Sequence, residues 1–367
     1  MNSGSIGLIS DSPGVETAVV FVHGFLGDPT ATWLNFHGLV DDFPHEFPWW
    51  QNCDMLFFNY DSVANPIQIS SDRLMRFLTA IYPEPTRSSE DVGYQQAGFA
   101  DTLRRIRGDN FRYSRLVLVG HSEGAVVIRQ MVLNIMRPFL AFCQRQIQVV
   151  GLASANPHLR RRVRQKFNPK AIAQTFAEIT TKARQEFDRF AAASNPEGVR
   201  SVERSLARDL VDFMQNTRHA VPSEIQDLQP YWVLTADLCL FAPAHFGYSP
   251  SGLLGTITRL PLVSELLESI VSWSTAYNDL RTLSPVLRSL QQATEKFQSE
   301  FGHIPALRAS VLWGEDDRLL SMGSYMLDAP EPSERAQNHT SICKPKVNYR
   351  RPMEFVRYGK LARIATA

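Results

Sequence analysis

Between Leu116 and Val132 the chain reads LVLVGHSEGAVVIRQMV, and this stretch restricts the fold more than any other. Leu116 to Val119 is an unbroken apolar run, as expected of a strand buried on both faces. Five residues later an almost uniformly apolar helical stretch begins, from Gly124 to Met136. Only Gly120-His121-Ser122-Glu123-Gly124 lies between them, so the chain must turn sharply with a serine at its apex. The glycines of Gly-x-Ser-x-Gly keep side chains out of the space where strand and helix converge, and the turn exposes the serine oxygen. Ser122 is thereby lifted clear of the sheet, beside a helix N-terminus whose free N–H groups favour developing negative charge.

Other segments repeat the buried-strand pattern. Ala18 to Val22, Met55 to Phe58, Gln148 to Leu152 and Ala309 to Trp313 are short apolar runs. Helical stretches, Asp72 to Ile81 and Gln95 to Ile106, precede the Leu116 strand. Alternation of this kind predicts an α/β fold, a mostly parallel sheet with helices on both faces. No strand is visible before Ala18, so the sheet is expected to be short on that side. From Arg160 to Gly302 the pattern becomes helical, with apolar stripes at three- and four-residue steps. They are Ile172 to Phe190, Val202 to Phe213, and Leu266, Ile270, Trp273, Tyr277 and Leu280. The expected organisation is a core of residues 1–159 and 303–367 carrying a helical cap insertion at 160–302.

A serine is a weak nucleophile at neutral pH and needs an imidazole to take its proton and a carboxylate to orient the imidazole. In folds built around this turn the chain order is serine, acid, histidine. Ser310 to Arg318 reads as a buried strand feeding an acidic loop, in which Gly314-x-x-Asp317 spacing favours Asp317 as the acid and leaves Asp316 as the alternative. Ala153 to Pro157, the loop expected one strand earlier, offers no carboxylate. His339, in Gln337-Asn338-His339-Thr340-Ser341, is the candidate base because it follows the acid; His219, His245 and His303 precede it. The backbone N–H groups of Glu123 and of Phe25, in His23-Gly24-Phe25-Leu26-Gly27, are the candidate oxyanion donors. His23 and His121 flank these turns and are expected to brace them through hydrogen bonds.

A formal net charge of +1 argues against a nucleic-acid partner, which demands clustered basic residues over one face. Two basic runs, His158 to Lys166 and Lys344 to Arg363, read either as solvated faces or as weak docks for anionic lipid headgroups. Cys53, Cys143, Cys239 and Cys343 have no metal-like spacing, in keeping with reduced thiols and a cytoplasmic location. The first sixteen residues lack a basic region and a long apolar core, so no secretory signal is expected. Tyr231 to Ile257, the most apolar candidate span, is interrupted by Asp237, Pro243, His245 and Pro250.

With these residues in view, the chain resembles the lipase-like serine esterases of the α/β-hydrolase superfamily, in the branch of the GPI-inositol deacylases and the serine-active-site-containing esterases. Four segments carry the likeness: Val20 to Asp28 with Thr32-Trp33, Gly120 to Gly124, Asp279-Leu280 with Ser284-Pro285 and Leu290, and Asn338 to Pro345. The resemblance implies ester or lipid hydrolysis by Ser122, Asp317 and His339, with no metal or organic cofactor. Between Asp317 and His339 the only strand candidate is Tyr325-Met326-Leu327, because Pro330 and Pro332 interrupt the residues after it. The insertion lies where such hydrolases carry a cap, and Trp232, Phe241, Phe246 and Tyr248, with Leu26 in the oxyanion loop, are candidates to contact an acyl group. The alternatives are an acyltransferase that passes the same acyl-enzyme to an alcohol, and a non-catalytic interaction module that keeps the fold.

Overall fold

The computed structural model describes residues 5–85, 94–137, 189, 231–248, 274–302 and 304–358. In chain order its main elements begin with β1 (Ile6–Leu8), β2 (Thr17–Val22), α1 (Pro29–Asp42), β3 (Cys53–Phe58), α2 (Ile67–Ile81), α3 (Tyr94–Arg107) and β4 (Arg115–His121). After β4 come α4 (residues 123–137), β5 (Asp237–Phe241), α5 (Thr275–Leu280), α6 (Pro285–Phe301), β6 (Ala309–Leu312), β7 (Ala329–Pro330) and α7 (Arg351–Tyr358). The strands form one sheet in the order β1-β3-β2-β4-β5-β6-β7, parallel throughout except for β1, which runs antiparallel to β3. This is the α/β-hydrolase fold, with the serine turn at the end of the central strand β4.

Strand alternation explains the two helical layers. Phe57 and Phe58 are consecutive in β3 and point to opposite faces. Phe57 stacks on its register partner Phe21, which also meets Trp33 and Phe36 of α1. Phe241 of β5 continues that face, between Trp33 and Phe355 of α7. Phe58 instead packs against Phe77 of α2, which meets Phe99 of α3. Burial on both faces is why β2 and β3 contain no exposed residue, and why their sequences read as continuous rather than alternating apolar runs.

Local chemistry sets the helix starts. Asp28 Oδ1 accepts from the N–H groups of Thr30 and Ala31 at 2.8 and 2.9 Å, with Pro29 in the first turn of α1, where its missing N–H costs nothing. Ser284 and Pro285 repeat this arrangement at α6, where Ser284 Oγ accepts from Leu287 N–H at 3.1 Å. Ser274 caps α5 in the same way, and its extended backbone interrupts the helical stripe expected from Leu266 to Leu280.

Three expectations change. Residues 237–241, assigned above to a helical insertion, form a strand between β4 and β6, so a central piece of the sheet comes from within 160–302. Gln148 to Leu152 and the stripes from Ile172 to Phe213 lie outside the described residues. The sheet is also extended before Ala18, by β1, although that strand is only three residues long. Finally, the strand between the acid and the histidine is Ala329–Pro330 rather than Tyr325 to Leu327. Proline is tolerated there because an edge strand needs no donor on its outer side.

Candidate active site

Ser122 sits at φ +55°, a backbone conformation that residues with a Cβ rarely adopt. The surrounding glycines show why the turn can close. A Cβ on Gly124 would lie 2.3 Å from the carbonyl oxygen of Val22 and 2.5 Å from that of His23, and one on Gly120 would lie 2.8 Å from Ala125 Cα. The turn is also tied to its neighbour strand, since Ser122 N–H donates to Phe241 O at 3.0 Å and Ala244 N–H donates to Ser122 O at 3.2 Å. Strand β5 thus supports the serine from the side, a role not assigned to it in the sequence.

His339 Nε2 lies 3.0 Å from Ser122 Oγ, and His339 Nδ1 lies 2.9 Å from Asp317 Oδ2. The three side chains are buried although they come from positions 122, 317 and 339 of the chain. Asp317 Oδ1 accepts from Leu319 N–H at 2.9 Å and Leu320 N–H at 3.4 Å, which fixes the carboxylate and leaves Oδ2 for the imidazole. The alternative acid, Asp316, is exposed and contributes its backbone N–H to Gln337 O at 3.0 Å. With Nδ1–H donated to Asp317, Nε2 is the acceptor that faces the serine hydroxyl.

The remaining histidines are placed differently. His121 Nε2–H donates to the backbone carbonyl of His339 at 2.7 Å, so the residue before Ser122 holds the main chain of His339. Burial pushes the His121 pKa down to about 3, and the ring is neutral at physiological pH. His23 Nδ1–H donates to Gly24 O at 2.9 Å, and burial lowers its pKa as well. His245 is buried with neither ring nitrogen hydrogen-bonded among the described residues, stacked 4.2 Å from the Tyr325 ring.

Gly24, Phe25, Leu26 and Gly27 form a tight turn closed by Gly27 N–H to Gly24 O at 2.9 Å, with Leu26 at φ +55°. A Cβ on Gly24 would lie 2.8 Å from Ser122 Cβ, so this turn is pressed against the Ser122 side chain. The Glu123 side chain is fully buried, and neither carboxyl oxygen has a hydrogen-bond partner among the described residues. Desolvation raises its pKa well above the ordinary carboxyl value, with Asp279 and Asp61 adding to the rise.

The acyl-contact candidates separate. Leu26 is 48% exposed beside the elbow. Phe241 is wholly buried between Trp33 and Phe355, because strand alternation turns it into the core on that face of the sheet. Phe246 packs edge-on to Tyr325, 6.0 Å between ring centres. The side chain of Trp232 lies outside the described residues. Tyr248 reaches the centre itself, where its hydroxyl is hydrogen-bonded to Ser122 Oγ. Nothing in the sequence pattern singles out that contact, because Tyr248 is brought to the serine by the turn after β5.

No group of His, Cys, Asp or Glu side chains among the described residues is arranged to hold a metal ion, and none of the described helices is long and apolar enough to cross a membrane. Arg350 and Arg351 of the basic tail are engaged by carboxylates, Arg350 by Glu46 and Arg351 by Glu331 at 3.1 Å and Glu334 at 3.3 Å. The basic run His158 to Lys166 lies outside the described residues.

No family model matches the chain, and no curated protein does. Among solved structures it is similar to a Bacillus licheniformis lipase, BlEst2 in propeptide form, at 11% identity and a TM-score of 0.41, covering 96% of this chain and 53% of that one. Phospholipase PlaB from Legionella pneumophila in complex with thio-NAD is similar at 10% identity and a TM-score of 0.43, over 95% of this chain and 61% of that one. YbtT, a type II thioesterase from a yersiniabactin pathway, is similar at 12% identity and a TM-score of 0.33, over 97% and 98% of the two chains. The chain therefore spans only part of the length of the lipase and the phospholipase. At such identities and TM-scores, these likenesses say nothing of what this chain acts on.

Proposed function

We propose that the protein is a serine hydrolase that cleaves carboxylic esters through an acyl-enzyme. The observation that carries this is the imidazole of His339 held between Ser122 Oγ at 3.0 Å and Asp317 Oδ2 at 2.9 Å. Ser122 Oγ attacks the ester carbonyl as its proton passes to His339 Nε2, and Asp317 stabilises the imidazolium so formed. The N–H groups of Phe25 and Glu123 hold the oxyanion, each contributing about 3 kcal/mol of transition-state stabilisation. Collapse expels the alcohol, which takes the proton from His339. Water then attacks the acyl-enzyme by the same steps in reverse, and no cofactor enters the scheme.

The substrate we assign is a lipid-like ester. Support comes from the exposed Leu26 beside the nucleophile and from the Asn338 to Pro345 run that resembles the GPI-inositol deacylase branch. A cap drawn from the parts of the insertion outside the described residues belongs to the same proposal. Equal hydrolysis rates on short- and long-chain esters would remove the lipid assignment while leaving the esterase intact.

Labelling with a fluorophosphonate probe tests the chemistry. The folded wild type is expected to react and Ser122→Ala is expected to show no labelling. A folded wild type that resists the probe would instead favour a non-catalytic module.

A further inference from the structure

We propose that Tyr248 is a third oxyanion donor, a catalytic residue whose hydroxyl follows the negative charge from Ser122 Oγ to the carbonyl oxygen of the tetrahedral intermediate. The proposal rests on Ser122 being the nucleophile. Its starting point is the hydrogen bond between the Tyr248 hydroxyl and Ser122 Oγ in a fully enclosed site.

The direction of that bond follows from proton counting. Serine has one hydroxyl proton, and His339 Nε2, whose ring proton is on Nδ1 toward Asp317, is placed to accept it. Toward Tyr248 the serine oxygen can then only accept, so the phenol donates. Burial raises the Tyr248 pKa, and the phenol keeps its proton across the working pH range.

The hydroxyl is also held in place from several directions. Tyr248 N–H donates to Leu280 O at 2.8 Å, and its carbonyl accepts from Thr282 N–H at 3.3 Å and Thr282 Oγ1 at 2.8 Å. A bridge joins Tyr248 to Leu320, whose N–H donates to the acid Asp317. The Tyr248 ring lies 6.3 Å from that of Phe25 and 6.2 Å edge-on from that of His339. Tyr248 therefore touches the oxyanion turn, the base and the acid loop at once. Donors held this rigidly stabilise developing charge without reorganising.

During acylation the bond from Oγ to the carbonyl carbon forms, the Oγ proton moves to His339 Nε2, and the carbonyl π pair moves onto its oxygen. Oγ thereby becomes an ester-type oxygen and a weaker acceptor. The oxyanion is bonded to the same carbon, one bond angle away, so the phenol can transfer its hydrogen bond by a small rotation of its hydroxyl. When the pair returns, the bond to the leaving oxygen breaks and His339 supplies that oxygen's proton.

Tyr248→Phe, assayed on p-nitrophenyl and alkyl esters of one acid, tests the role. We expect kcat to fall about 100-fold with KM nearly unchanged, equally for both leaving groups, as for loss of one oxyanion donor. Unchanged or increased kcat overturns the proposal, the latter because the hydroxyl would then obstruct attack. Loss confined to the alkyl ester also overturns it, because the phenol would then serve the leaving oxygen. Should the variant misfold, 3-fluorotyrosine at position 248 keeps the ring and makes a stronger donor; kcat is expected to rise, and no change overturns the proposal. Fluorophosphonate labelling separates the two readings. A wild type that resists the probe removes both, whereas a labelled wild type with an unaffected Tyr248→Phe removes this one alone.

Discussion

The turn carrying Ser122 is set chiefly by backbone segments in close approach, whereas the loop carrying His339 relies more on hydrogen bonds from side chains and carbonyls. At the turn, Gly120 and Gly124 let β4 and α4 approach each other and the end of β2 so closely that one added carbon would meet backbone at 2.8 Å or less. Around His339, Asn338 Oδ1 accepts from Thr340 N–H and Ser341 N–H at 3.0 Å each, and Gln337 O accepts from Asp316 N–H at 3.0 Å. Farther along the acid loop, Asp328 accepts from Ala309 N–H and Tyr325 N–H, both at 3.1 Å, and is paired with Arg129 of α4. Close backbone approach dominates around Ser122, and side-chain hydrogen bonds dominate around His339, although Gly314 also packs against Gln337 there, where a Cβ would lie 2.3 Å from the Gln337 carbonyl oxygen.

The contrast can be broken most directly at the polar side. Asp317→Asn keeps the shape but no longer holds Nδ1–H toward the carboxylate, and kcat is expected to drop about 10⁴-fold with little change in melting temperature. Asp316→Asn, on an exposed side chain, should leave kcat near wild type; a drop comparable to that of Asp317→Asn would show that the acid is misassigned. At the steric side, Gly124→Ala forces a methyl against two carbonyl oxygens that belong to the sheet and cannot rotate away. A loss of about 3 kcal/mol or more in urea unfolding is expected, and a near-neutral change would mean that the turn is not held by contact.

Glu123 sharpens the comparison because, on the side otherwise placed by packing, its buried carboxyl has no hydrogen-bond partner among the described residues. Its pKa is raised in the folded protein, so the folded state keeps a proton that the unfolded chain releases above about pH 4.5. Stability from this group is undiminished at lower pH and is lost as pH rises toward the folded pKa. Glu123→Gln cannot ionise, and its stability in urea unfolding should match the wild type near pH 4 and exceed it increasingly as pH rises toward 8. Equal stability at both pH values would place an unseen partner beside the carboxyl.

Legibility in the sequence divides along the same line. Turns that depend on glycine leave a signature of residue type and spacing, so Ser122, the Phe25 turn and strands β2, β3, β4 and β6 are readable. Chain order singles out Asp317 and His339, and the fold sets the His339 ring 3.0 Å from Ser122 Oγ and 2.9 Å from Asp317 Oδ2. Strand β5 is hidden because Leu238 to Phe241 is a short apolar run inside a stretch whose sequence pattern reads as helical, although it ends at Ala-Pro much as the other buried strands end at their loops. Pro330 conceals β7 because a sheet edge tolerates what a sheet interior does not. Phe241 reads wrongly as a pocket residue because an apolar side chain in a strand carries no mark of which face it will take until its neighbours are known.

By itself, then, the sequence determined the elements that local physics controls: the apolar strands, the capped helices and the glycine-bounded turn that carries Ser122. Tertiary structure decided that a segment more than a hundred residues beyond β4 completes the sheet beside it, that Asp317 rather than Asp316 meets His339, and that the Tyr248 hydroxyl arrives at the serine. These are contacts between distant positions, set by how whole strands pair and loops pack, and no residue's local preference encodes its distant neighbour.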